Sequence, residues 1–150
     1  MRPTTLTPVL LLAAACGGSL WPTTTVVTPA PVSEAFRCAD SVTRSLGYKP
    51  FQSKPDEGFL RTRKNVREAT GDILDQQPYD QIRVELAADS GAPATRLSVT
   101  AESWTEQLSR RGRDQVEHKA RPAVIADAAR VVEACGTALQ PRPDRVPNAN

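Results

Sequence analysis

Apolar positions at helical spacing come first: Ala35, Cys38, Ala39, Val42 and Leu46 share one face behind Ser33 and Glu34 and predict a helix over 33–46. Ser33 suits an N-cap and Glu34 the positive helix end, while Gly47 stops the helix and Pro50 prevents its return. Further along, the period falls to two. Ile82, Val84 and Leu86 alternate with Gln81, Arg83 and Glu85, and Leu97, Val99 and Ala101 alternate with Arg96, Ser98, Thr100 and Glu102. With Asp89-Ser90-Gly91-Ala92-Pro93 between them, these runs predict an antiparallel hairpin with one buried face. Residues 48–53 and 59–64 flank the turn Pro55-Asp56-Glu57-Gly58 and predict another strand pair, in which Pro50 confines the first to an edge. Arg121-Pro122 opens a last helix whose stripe is Val124, Ala128, Val131, Val132, Cys135 and Leu139. The stretches 65–79 and 104–119, with Ile73, Leu74 and Leu108 among polar residues, read as loops. The expected fold class is α+β: a two-layer sandwich in the order α-β-β-β-β-α, with an antiparallel sheet and two helices packed on one face.

The ends of the 150-residue chain have a different character. Residues 16–32 carry no charge from Gly17 to Val32 and are crowded with Thr and Pro, as in Trp21-Pro22-Thr23-Thr24-Thr25 and Thr28-Pro29-Ala30-Pro31. They read as an extended tether, reaching up to roughly 50 Å at about 3.1 Å per residue. The folded domain is expected over 33–139, and Pro-rich 140–150 as a disordered tail. Met1-Arg2, the apolar stretch 6–15 and Ala13-Ala14-Ala15 before Cys16 form an export signal over 1–15. Three cysteines in an oxidising compartment leave one without a partner. With Cys16 otherwise occupied, Cys38 and Cys135 remain. Both fall on buried helix faces, so a disulfide between them is expected.

The signal region resembles that of bacterial lipoproteins, whose lipobox cysteine receives diacylglycerol on sulfur and becomes the first residue after cleavage. Ala14, Ala15 and Cys16 match that pattern, and Gly17-Gly18-Ser19 is the flexible sequel. Ala13 stands where leucine is commonest, and Ala13-x-Ala15 equally suits the ordinary signal peptidase, which would release a secreted, soluble protein. The whole layout of lipobox, tether and small disulfide-bonded α+β domain resembles small bacterial lipoproteins of unknown activity. That resemblance implies lipidation at Cys16 and attachment to a membrane of the cell envelope. Gly17, in place of Asp, points to the outer membrane facing the periplasm under the enterobacterial sorting rule. The outer face of the plasma membrane is the alternative.

Composition narrows the chemistry further. A formal net charge of +2 gives no basic stripe of the kind that tracks nucleic acid. No apolar run approaches the roughly 18 residues of a spanning helix. Neither a phosphate-binding P-loop nor a Gly-x-Gly-x-x-Gly sequence is present, so no nucleotide or other cofactor is expected. The one histidine, His118, lies in the charged run Arg113-Asp114-Gln115-Val116-Glu117-His118-Lys119 and reads as a solvated side chain; no metal site is expected. Asp56 and Glu57 read as turn carboxylates, and Asp72 and Asp75 as loop solvation. Arg110-Arg111-Gly112-Arg113 reads as a soluble loop.

One pattern points to binding. Arg61, Arg63, Arg83 and Arg96 fall on the sheet face away from the apolar set, accompanied by Glu85 and Glu102. Guanidinium forks suit phosphate and carboxylate, so this face fits a lipid head group, a peptidoglycan carboxylate or an acidic envelope protein. An ordinary solvated sheet face carries the same pattern. Two function classes follow: a non-catalytic binding or scaffolding module, and a small periplasmic enzyme assembled from common Asp, Glu, Arg and Tyr residues. A deep pocket of convergent titratable groups would favour the second, a flat sheet face the first.

Overall fold

The period-two alternation extends well beyond the expected hairpin. The computed structural model describes residues 20–66, 76–90 and 94–137. The signal 1–15, Cys16, Asp72, Asp75, Ile73, Leu74, the loop centre 91–93, Leu139 and the 140–150 tail lie outside the described residues. In chain order the elements are β1 (Thr23–Thr28), α1 (Val32–Ser45), β2 (Lys49–Lys54), a 3-10 turn (Pro55–Glu57), β3 (Phe59–Asn65), β4 (Gln76–Ala88), β5 (Thr95–Ser109), β6 (Gly112–His118) and α2 (Pro122–Thr137). The fold is mixed α+β, with one antiparallel six-stranded sheet and two helices.

Three expectations are corrected. The order α-β-β-β-β-α becomes β-α-β-β-β-β-β-α. Thr23–Thr28, expected within the 16–32 tether, forms a strand, because β-branched Thr and Val fit a pleated edge and Pro22 and Pro29 fall just outside it. The expected loops 65–79 and 104–119 contain the first four residues of β4, the last six of β5 and all of β6. These stretches lack an apolar face because they extend beyond the area that the helices cover. Helix α1 also begins one residue early: the Pro31 carbonyl, not a Ser33 side chain, receives the amides of Glu34 and Ala35 at 3.0 Å each.

The strand order is β1-β5-β4-β3-β2, with β6 also on β5. Fifteen-residue β5 pairs with β4 on one side from Thr95 to Gln107, and its other side is shared by two strands laid end to end. β1 takes Thr95 to Thr100 and β6 takes Ser103 to Ser109. The chain before β1 is also held: Ala101 donates its amide to the Pro22 carbonyl (3.1 Å), and Ala120 to that of Leu20 (3.0 Å).

Register builds the core. Leu60, Val84 and Val99 lie side by side across β3, β4 and β5, as do Thr62, Ile82 and Ala101, and all six are buried. Ala35, Phe36 and Ala39 of α1 and Val124, Ala128, Val131 and Cys135 of α2 belong to the same apolar cluster. The Cys38–Cys135 disulfide joins the helices with Cα atoms 5.7 Å apart. Gly47, at φ +87°, ends α1 with the Tyr48 amide returned to the Thr43 carbonyl at 3.0 Å. Buried Asp80 fixes the start of α2, accepting from Ser103 Oγ (2.7 Å) and Arg121 Nε (2.9 Å). Tyr48 donates its hydroxyl to Asp127 of α2 at 3.1 Å, with Lys64 3.6 Å from the same carboxylate.

Candidate binding face

Alternation sends every second side chain of β3, β4 and β5 to the face opposite the apolar cluster. On that face Arg61 sits directly across from Arg83, and Arg63 across from Gln81, which in turn faces Glu102. Two like charges side by side repel unless an acid lies between or beside them. Glu102 is that acid. It is 2% exposed, and its Oε1 lies 3.2 Å from Arg83 Nε, close enough for an ion pair though out of line for a hydrogen bond. Its Oε2 accepts from Gln81 Nε2 and from Trp104 Nε1 (3.1 Å). Gln81 passes the link on, accepting from Arg63 Nε at 3.2 Å.

A row of rings crosses the same face. The Arg63 guanidinium carbon lies 3.5 Å from the centroid of Phe51 and 4.5 Å from that of Tyr79, so the cation is stacked between two rings. Tyr79 is the register partner of Trp104, and Trp104 packs on Trp21 with ring centroids 5.0 Å apart. Trp21 donates its indole N–H to the His118 carbonyl at 3.3 Å. Tyr79 is 3% exposed and its hydroxyl has no hydrogen-bond partner among the described residues. Burial pushes that phenol's pKa up, an effect that the adjacent Arg63 charge opposes. Arg61 lies over Phe59 at 5.5 Å, and its Nε likewise makes no hydrogen bond among the described residues.

The four arginines expected on this face do not form one group. Arg61, Arg63 and Arg83 come together around Glu102. Arg96 lies four residues along β5 from Thr100, the partner of Arg83, which is about 14 Å at about 3.4 Å per residue. There it pairs with Asp89 at 3.2 Å and lines an open cleft of about 360 Å³ with Glu57, Phe59, Glu85 and Ser98. Glu57 is engaged by Lys54 Nζ at 2.8 Å, and Asp56 lies beside it in the exposed 3-10 turn. His118 is exposed on β6 with Nε2 2.9 Å from Thr105 Oγ1, and Arg110 and Arg111 form the exposed turn into β6. Arg113 lies within β6, paired with Glu106 at 3.2 Å.

Sequence reasoning missed the aromatic half of this face, namely Phe51, Tyr79, Trp104 and Trp21. A signal was present: carried one step back from Gln81 and one step on from Glu102, the alternation meets Tyr79 and Trp104. Among the described residues no helix is long and apolar enough to cross a membrane. No protein-family model matches the chain, and no curated protein matches it significantly.

Proposed function

We propose that the chain is a lipoprotein of the cell envelope, anchored through lipid on Cys16, whose two-layer α+β domain is a non-catalytic binding module. Its working surface is the sheet face turned away from the helices. The observation that supports this reading is the stacked row Phe51–Arg63–Tyr79 beside the Trp104–Trp21 pair, set on a sheet whose other face is occupied by the core. A guanidinium set against two rings and held at Nε by Gln81 has its conformational freedom already spent, and its terminal N–H groups suit an anionic oxygen. Buried Glu102, engaged by Gln81, Trp104 and Arg83, keeps the array rigid. Preorganised planar cations and rings suit phosphate or carboxylate groups on a larger surface.

The anchor is tested by intact-mass measurement on the membrane fraction of an exporting host, comparing the wild type with Cys16→Ser. A lipid mass on the wild type that disappears in the variant is expected. An unmodified mature chain in the soluble fraction overturns the anchored reading in favour of secretion.

A further inference from the structure

We propose that the open sheet face lies directly against an anionic bilayer, with its arginines on lipid phosphates and the Trp21–Trp104 pair at the level of the head groups. This rests on the anchored reading above and names the ligand of the same face.

Reach is the first argument. The backbone is bonded to the domain from Leu20 onward, through Ala120 N–H, in the link between β6 and α2, to the Leu20 carbonyl, and through Ala101 N–H of β5 to that of Pro22. Cys16 stands only four residues before Leu20, and a fully extended chain spans about 3.3–3.6 Å per residue. The lipid attachment point is therefore within about 14 Å of Leu20, where a free tether over 16–32 would have allowed roughly 50 Å. A domain held so closely turns some surface to the bilayer. On the helix side, a helix diameter of about 10–12 Å would take up most of that reach. The open face begins at the sheet itself, and Trp21, next to the first bonded residue, already lies on it against Trp104.

Charge and residue type are the second argument. Glu102 is buried and paired with Arg83, so Arg61 and Arg63 make the strip between Phe51 and Tyr79 positive, while Glu85 beside Phe59 and Glu117 beside Trp104 are exposed acids at its margins. Arginine forks match phosphate oxygens, and tryptophan rings are enriched at the head-group level of bilayers. Leu20 (52% exposed) and Phe51 (55% exposed) add apolar area close to the two ends of the ring row.

The test uses the mature chain from residue 16 with Cys16→Ser, so that binding reports the face and neither the acyl chains nor the apolar stretch 6–15. Trp21 and Trp104 are the two tryptophans of the chain, so intrinsic fluorescence reads this face alone. The probes are phosphatidylcholine vesicles and vesicles that also contain phosphatidylglycerol, each with brominated lipid as quencher. Expected are binding and tryptophan quenching on the anionic vesicles only, weakening as salt rises. Arg61→Gln should lower partitioning about fivefold, the weight of one arginine at an anionic surface. Arg61→Lys should restore most of it, and Arg37→Gln, on the exposed side of α1, should leave it unchanged.

Equal binding to both vesicle types overturns the proposal, as does binding without quenching or an equal loss in Arg61→Gln and Arg37→Gln. Binding to purified peptidoglycan in place of vesicles overturns it and assigns the face to a cell-wall ligand. Failure of the anchor appears separately, as a missing lipid mass on the wild-type chain, and does not alter what the vesicles report.

Discussion

Gly58 has the tightest surroundings of the described glycines. It closes the 3-10 turn at φ +64°, and a Cβ there would stand 2.4 Å from the Leu86 carbonyl oxygen. Its own carbonyl accepts the Leu86 amide at 2.8 Å, so the backbone has no room to retreat. Left-handed backbone costs a non-glycine residue about 1–2 kcal/mol before any contact is counted. Gly58→Ala should therefore destabilise by roughly 2–3 kcal/mol, read as a lower urea midpoint at unchanged slope. Tyr48 makes a different kind of prediction. Burial, and then the charge of Asp127 that its hydroxyl engages, hold its phenol above the ordinary value of 10.0. Below pH 10 the phenol is protonated in both states and its contribution is intact. Above pH 10 the unfolded chain ionises while the folded one does not, so stability falls as pH rises. Urea titrations from neutral pH to pH 11 should show this decline, and Tyr48→Phe should flatten it while losing the bond to Asp127 at neutral pH.

Among the elements, β1 is the one whose removal would be felt furthest. Val26 packs partly buried against the core, and its Cγ2 would lie 3.0 Å from a Cβ on Gly136, so α2 passes close over this strand. Val26→Asp puts a charge into that contact and should detach β1, releasing Trp21 from Trp104. The readout is a red shift of tryptophan emission at denaturant concentrations where far-UV circular dichroism is still native.

The same strand shows how sequence legibility depends on burial. Where a strand faces helices, as at Ile82, Val84 and Leu86 or at Leu97, Val99 and Ala101, the pattern is open to reading, and so was the Cys38–Cys135 bridge on two apolar helix faces. Gln76 to Tyr79 and Trp104 to His118 run past the helices with Leu108 and Val116, both exposed, as their only Leu, Ile or Val side chains, so their alternation carries no continuous apolar signal. Thr23–Thr28 between prolines looks like linker because an edge strand needs only one partner. The arginines lay on legible strands and their common side followed from parity. The rings did not, because three of the four come from segments that read as loop or tether, and Phe51 sits at an irregular step of the β2–β3 register.

For the molecule as a whole, the Cys38–Cys135 bond encloses a loop with a sequence separation of 97 and ties the first helix to the last. In the chain-entropy description such a closure is worth roughly 4–5 kcal/mol, so the double variant Cys38→Ala, Cys135→Ala should lower the free energy of unfolding, read from urea titrations, by about that much. Alkylation of the unreduced protein should leave both residues unlabelled. Pairing at a distance has another consequence, one of timing. Residues 23–28 lie against residues 95–100, so the first strand to be synthesised has no partner until the fifth has emerged. Until then Thr23–Thr28 is a strand of Thr and Val with neither of its edges bonded. Once β5 is in place β1 seats on it, and Leu20 is bonded to Ala120 beyond it. This edge of the sheet is therefore completed late, from the two ends of the domain at once.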